Sequence, residues 1–239
     1  MGAELVLYIA AIAAMLLAIV AQIKVKTTFN KYSRVLTRSG RTAYEVAEMI
    51  LRSNGIFDVR IERVSGSLTD HYDPRSKVLR LSDTVYQSTS AAAVGVAAHE
   101  AGHAVQYARG YFPVKLRSAL VPAASLSSRF TWLLLMAGIA IMILGNTVIG
   151  FYVAIGGIAL FALATLFELV TLPCEFDASR RAIAALGSSG WFAPDELRGS
   201  RRVLTAAALT YVAALAVSAI HLLRLLLYVV RIAGRGNRR

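Results

Sequence analysis

The sequence predicts a mainly α-helical integral membrane protein with about four transmembrane helices and one small α/β module. Three observations carry this prediction. Apolar residues make up 56% of the 239 residues and charged residues only 17%, which is too apolar for a disordered chain or an ordinary soluble domain. Those apolar residues gather into blocks long enough to cross a bilayer. Between the first block and the second, residues 24–128 have globular composition and carry both helix and strand patterns. The same arithmetic excludes other classes. The single cysteine, Cys174, rules out an intrachain disulfide framework and a four-cysteine zinc finger. Four histidines in the whole chain mean that any histidine-built site must use most of them.

The first apolar block, Leu5 to Ala21, has no charged side chain and reaches bilayer length with Gln22 and Ile23. Only Glu4 precedes it, and no small-residue cleavage site closes it, so residues 1–23 read as a retained anchor rather than a signal peptide. The second block, Thr131 to about Leu172, is twice the length of one span. Gly145-Asn146-Thr147 interrupts it, which predicts a hairpin of about 129–147 and 149–172, with Pro173 closing the second arm. The last block runs from Val203 to about Leu223, with a basic tail to 239. Lys24, Lys26, Lys31, Arg34, Arg38 and Arg41 follow the first span, Arg117 and Arg129 precede the hairpin, and Arg180, Arg181, Arg198, Arg201 and Arg202 follow it. Basic flanks mark the cytoplasmic side, so residues 24–128 and 173–202 are expected to be cytoplasmic and the hairpin turn outside. Arg231, Arg235, Arg238 and Arg239 conflict with that topology after a fourth crossing. They imply either a last segment that re-enters or a basic amphipathic stretch on the surface. Topology accounts for the net charge of +12, and no nucleic-acid motif accompanies it.

Within residues 24–128, Ala43 to Ser53 has apolar residues at helical spacing and ends at Asn54-Gly55. Phe57 to Val64 alternates apolar and polar and reads as a strand; Gly66 to Pro74 reads as a loop; Lys77 to Leu81 reads as a second strand. Ser82 could cap a helical turn through Tyr86, and Ser88 or Ser90 a longer helix through about Tyr107.

That longer helix carries His99-Glu100-Ala101-Gly102-His103, an H-E-x-x-H motif. Helical spacing sets residues four apart on one face, so both imidazoles can reach one zinc ion at about 2.0–2.1 Å. Glu100 projects beside them, where it can take a proton from a water on the metal. The reaction this suits is amide hydrolysis, with the glutamate as base and then as acid to the leaving amine. A catalytic zinc needs a third protein ligand. His221 lies deep in the last span and His71 in the loop before the motif. The downstream acids are Glu168, Glu175, Asp177, Asp195 and Glu196. The two crossings of the hairpin return the chain to the side of His99, and Glu175 lies just past Pro173, which makes it the expected third ligand. Asp177 is expected to orient a ligand histidine through its free N–H, the alternative being a charge at a helix N-terminus. His71 or Tyr72 could stabilise the oxyanion, or the segment could be a structural turn held by Asp70 and Asp73. Strand 77–81 could be an exposed edge that accepts a substrate strand, or an interior strand. Cys174 reads as a small buried hydrophobe, and Gly102 as a site of close packing.

His99-Glu100-Ala101-Gly102-His103, a hairpin, and then Glu175-Phe176-Asp177-Ala178-Ser179 resemble the YugP-type bacterial membrane neutral zinc metallopeptidases. Leu68 to Pro74, Arg80 to Ser82 and Leu209 to Tyr211 share the resemblance, which covers residues 40–215. More distantly, the chain is similar to the HtpX and CAAX-protease gluzincins. These families place the motif on a cytosolic helix and the ligand glutamate after a membrane hairpin. Their second motif has an aspartate four residues past that glutamate, where this chain has Ser179. The resemblance implies a zincin-like metalloprotease module, one zinc ion per chain, and a peptide or membrane-protein substrate at the bilayer.

Three other functions compete. An intramembrane protease of the site-2 type also carries H-E-x-x-H, but the alanine-rich run before His99 is about ten residues, too short to span, and no N-P-D-G or L-D-G motif follows. A scaffold with structural zinc has no use for Glu100 and would prefer a fourth protein ligand. A transporter would use Glu168 and His221, which read better as buried pairing residues.

Overall fold

The computed structural model describes residues 2–236. The chain order is α1 (Gly2–Tyr32), α2 (Ala43–Ser53), β1 (Arg60–Val64), β2 (His71–Asp73), β3 (Val78–Ser82), α3 (Ala91–Ala108), α4 (Phe112–Ile143), α5 (Thr147–Ser188) and α6 (Pro194–Gly236). Four helices, α1, α4, α5 and α6, are long and apolar enough to cross a membrane. The chain divides into two compact units. One comprises the residues up to Ile19, Leu116–Thr171 and those from Tyr211 onward; the other is Val20–Lys115 with Leu172–Thr210.

In the first unit, Gly145 at φ +106° ends α4, and the Asn146 side chain accepts from Ile149 N at 3.0 Å to start α5. The two arms touch along small residues. A Cβ on Gly138 would overlap the Ala154 backbone, and one on Gly150 would lie 2.5 Å from Met142 N. Backbone contact of this kind is how helices associate in lipid, where no hydrophobic force drives them together. The helices run well past the apolar stretches. α4 begins at Phe112 rather than near 129, and α5 continues through Pro173 to Ser188. Apolarity marks where a helix meets lipid, whereas the helix itself persists wherever its backbone bonds are made. A proline forfeits only one of those in a helix this long. α6 likewise continues as one helix to Gly236. Arg231 therefore lies within that helix, not in a separate re-entrant segment; Arg238 and Arg239 fall outside the described residues. Glu168 and His221 form no ion pair: the Glu168 Oε2 atom is buried without a hydrogen-bond partner, and His221 is exposed on α6.

The second unit is built around α3. Thr42 and Glu45 form a capping box that starts α2, whose buried face is Ala43, Val46, Ala47, Ile50 and Leu51. The sheet has the order β1-β3-β2, with β1 parallel and β2 antiparallel to β3. One sequence expectation changes here, and one open alternative is decided. The segment 66–74, read as a loop, contains β2. Strand 77–81, an exposed edge or an interior strand on the sequence alone, is the central strand, with Val78, Leu79 and Leu81 fully buried. The edge strand beside α3 is β2. Three residues are too few for alternation to show, which is why β2 did not register in the sequence.

Ser90 caps α3 by accepting from Ala93 N at 3.2 Å. The alanines of α3 let helices approach it closely. A Cβ on Gly95 would meet the Ser200 side chain at 3.0 Å, and one on Gly102 would lie 2.7 Å from Ala178 O. The latter neighbour is backbone and cannot swing aside. Gly102→Ala is therefore expected to destabilise the protein by about 1–3 kcal/mol, read as a lower Tm in detergent, with weaker zinc retention as α5 is pushed outward.

Candidate metal centre

α3 presents His99 and His103 one turn apart, with ring centroids 4.7 Å apart and planes at 81°. α5 crosses α3 at Gly102, and this close approach brings Glu175 over both rings. Glu175 Oε2 lies 3.2 Å from His99 Nε2 and 3.6 Å from His103 Nε2. A tetrahedral zinc with ligands at about 2.1 Å spaces neighbouring ligand atoms by about 3.4 Å. The two separations bracket that value, and all three donor atoms lie within 4.8 Å of one another. Two imidazoles and one carboxylate are also a zinc donor set by type. The site fits one zinc ion, and it is the His, Cys, Asp and Glu cluster with that property among the described residues.

A network behind the histidines sets which nitrogen faces the centre. Gln106 is fully buried, and its Nε2 group donates to Cys174 O at 2.8 Å and to Asp177 Oδ2 at 2.9 Å. Both amide protons are then used, so Gln106 must present Oε1 to His103 Nδ1, 3.0 Å away. An Nδ1–H donor there leaves the Nε2 lone pair directed at the centre. On the other ring, His99 Nδ1 pairs with Ser179 Oγ at 3.1 Å. Asp177 does not touch a histidine, as the sequence had suggested it would. It acts one residue removed, through Gln106. It is itself held by Arg181 Nε at 2.5 Å and by Arg180. The side chain beside His99 is Ser179, at the position where the resembling families carry an aspartate.

Charge follows this geometry. Burial pushes the Glu175 carboxyl up, but hydrogen bonds from His103 and then His99 outweigh it and hold the group far below the usual carboxylate range. Burial likewise lowers His103, yet contact with Glu175 and the charge of Glu100 leave its pKa raised overall. Burial would also raise Asp177, but Arg181, Gln106 and Arg180 keep it low.

Glu100 is half-buried beside His99, and its Oε2 accepts the Tyr72 main-chain N–H at 3.0 Å. The Tyr72 ring packs on Tyr107 at 5.7 Å. β2 thus meets the centre through the backbone of Tyr72. His71 faces away. Its Nδ1 pairs with Thr69 O at 2.8 Å, and its Nε2 lies 3.4 Å from an Arg80 nitrogen. Asp70 accepts from Ser82 N and Oγ, and Asp73 from Arg75 N and Ser76 Oγ. Asp70 and Asp73 thus tie the two ends of β2 to the neighbouring backbone and side chains. Burial raises the Asp70 pKa despite its bonds to Ser82, and the charge of Glu100 adds to the rise.

The sequence reading missed Gln106. The available signal was its place three residues past His103 on the same helix face. Gln106→Leu is expected to lower zinc affinity by about 10–100-fold, measured by competition with a zinc indicator, while helix content stays at wild type.

Four apolar helices joined to a two-histidine, one-glutamate centre define a membrane protein with a zinc-peptidase type of metal site. The family model described as "Putative neutral zinc metallopeptidase" matches residues 7–230. The chain belongs to that family. It is similar to a protein of Bacillus subtilis (strain 168) named "Putative membrane protease YugP", with 47% identity over 214 residues, 89% of this chain and 92% of that protein. No solved structure matches it.

Proposed function

We propose that this chain is a membrane-anchored zinc endopeptidase in which His99, His103 and Glu175 hold one zinc ion and Glu100 is the general base. The observation that carries the reading is Glu100 itself. It is an acid beside the donor cluster that is not one of the three donors, which a structural zinc site would not need. A zinc ion bound there would supply Lewis acidity, acidifying a water molecule and polarising the scissile carbonyl.

The chain's own groups do the rest. The Tyr72 N–H fixes one carboxylate oxygen of Glu100 and leaves the other to accept the proton of the attacking water. Glu100 then returns that proton to the leaving amine nitrogen. In the register of β2 with β3, His71 and Asp73 flank Tyr72. The Tyr72 N–H points away from β3, and in an antiparallel pair its carbonyl points the same way. The substrate backbone pairs along that outer edge of β2, with its scissile carbonyl beside Glu100. The basic residues after the first span set this module on the cytoplasmic face. Its substrates are peptides or membrane-protein loops close to the bilayer.

Metal removal tests the reading. The detergent-purified chain, stripped with a chelator, should lose cleavage of a casein-type substrate and of peptides copied from membrane-protein loops. About one equivalent of zinc should restore it. A chain that carries one zinc and cleaves neither substrate class would sink the proposal.

A further inference from the structure

Arg224 and Arg231 of α6 lie on one stripe. His221, Arg224, Leu225, Tyr228 and Arg231 recur at three- and four-residue steps, which places them on one helix face. In the membrane-spanning unit this face, with Leu7 and Tyr8 of α1 and Trp132 of α4, encloses a cavity of about 460 Å³. Among the described residues lining it, none is acidic.

Arg224 decides what the cavity suits. Its guanidinium carbon stands 4.4 Å above the Tyr8 ring centroid. Stacking of this kind occupies the flat face of the guanidinium, whereas its N–H donors lie around the edge. No described residue accepts a hydrogen bond from Arg224. A half-buried, permanently charged fork is therefore left with its donors unspent in a unit made of membrane-spanning helices. Arginine is retained inside such segments when it has a partner, and the partner its geometry matches is a phosphate or carboxylate that takes two parallel bonds.

We infer that this cavity binds the headgroup phosphate of an anionic phospholipid on Arg224, with Arg231 at the same mouth and an acyl chain lying against Leu7, Leu225 and Leu227. The location favours a lipid, because the cavity is lined by three helices that are each long and apolar enough to cross a membrane. The charge selects an anionic one. Arg224, with no acid among the described residues of the lining, repels the cationic end of a zwitterionic headgroup. Tyr8, Trp132 and Tyr228 are the aromatic types that settle at headgroup level. Arg224 and Arg231 then reflect a bound anion and need not report the side of the membrane. This inference does not depend on the peptidase reading.

The full-length chain, reconstituted in nanodiscs of phosphatidylglycerol and phosphatidylcholine and then released into mild detergent, is examined by native mass spectrometry. Wild type should retain about one phosphatidylglycerol per chain. Arg224→Gln should retain at least fivefold less, and Arg224→Lys an intermediate amount, because lysine keeps the charge but not the fork. Leu227→Trp fills the cavity with every charge kept and should also lower retention, so the test stands even if the glutamine variant fails to fold. Arg201→Gln removes the same charge elsewhere and should change nothing. Equal retention by Arg224→Gln and wild type would overturn the inference. So would equal retention of phosphatidylcholine, or displacement of the lipid by millimolar inorganic phosphate.

Discussion

Replacing Glu100 by glutamine should leave one zinc ion per chain and lower kcat/KM for peptide cleavage by about 10²–10⁴-fold, the range of a general acid–base contribution. That loss corresponds to about 3–5 kcal/mol of transition-state stabilisation. Two features of the structure make this variant clean. The glutamine side chain has the same shape, and its carbonyl oxygen can still accept the Tyr72 N–H that Glu100 now accepts, so β2 stays docked on α3. Glu100 is also not among the three clustered donors, so the donor set is untouched. Zinc content by elemental analysis, beside cleavage rates, checks the prediction. Cleavage retained within a few-fold would move the base to another group. Zinc lost along with cleavage would make Glu100 part of the metal site.

Replacing Glu175 by glutamine should abolish stable zinc binding. The expected loss of affinity is more than about a hundredfold, beyond the 10–100-fold of a residue that only supports a ligand. The variant removes the one anionic donor of the cluster, which sits within 3.2 Å of His99 Nε2 and 3.6 Å of His103 Nε2. Histidine protonation offers no alternative explanation. Contact with Glu175, together with the charge of Glu100, holds the His103 pKa up against burial. Removing the Glu175 contact lowers that pKa and so favours the neutral imidazole that binds metal. Raising the pH from 6 to 8 should therefore not rescue binding in this variant. In the wild type the same range should strengthen binding, because the proton that Glu175 retains on His103 must leave before metal enters. Wild-type affinity in Glu175→Gln would show that the third donor lies elsewhere.

These two residues were legible in the sequence for different reasons. Glu100 is local: its place between His99 and His103 on one turn is decided by helical periodicity alone. Glu175 is distant in the chain, and only the even number of hairpin crossings returned it to the side of His99. What the reading could not supply was the arrangement between elements. Asp177 is close to Glu175 in the sequence, which by itself leaves open whether it reaches a ligand histidine. On a helix, though, two residues subtend 200°, so Asp177 points past the ring and engages Gln106 instead. Ser179, four residues on, returns to the Glu175 face and meets His99. Strand 77–81 could be an edge or an interior strand on the sequence alone, because a five-residue run carries no record of its neighbours. β1 and β2 flank it in space.

The sequence by itself determined the membrane-helix content, the hairpin break at Gly145-Asn146, the helix bearing His99 and His103, and the chemical class of the centre. Each of these depends on composition or on spacing along one element, where a period of 3.6 residues or a bilayer thickness converts position into geometry. The tertiary structure alone decided that α5 runs unbroken through Pro173, that β2 forms the edge facing Glu100, and that Gln106 aims His103. It also decided that Arg224 stacks on Tyr8 with its donors unspent. All four depend on which surfaces of separate elements come into contact, and hydrogen bonds and packing between distant residues leave no period in the chain.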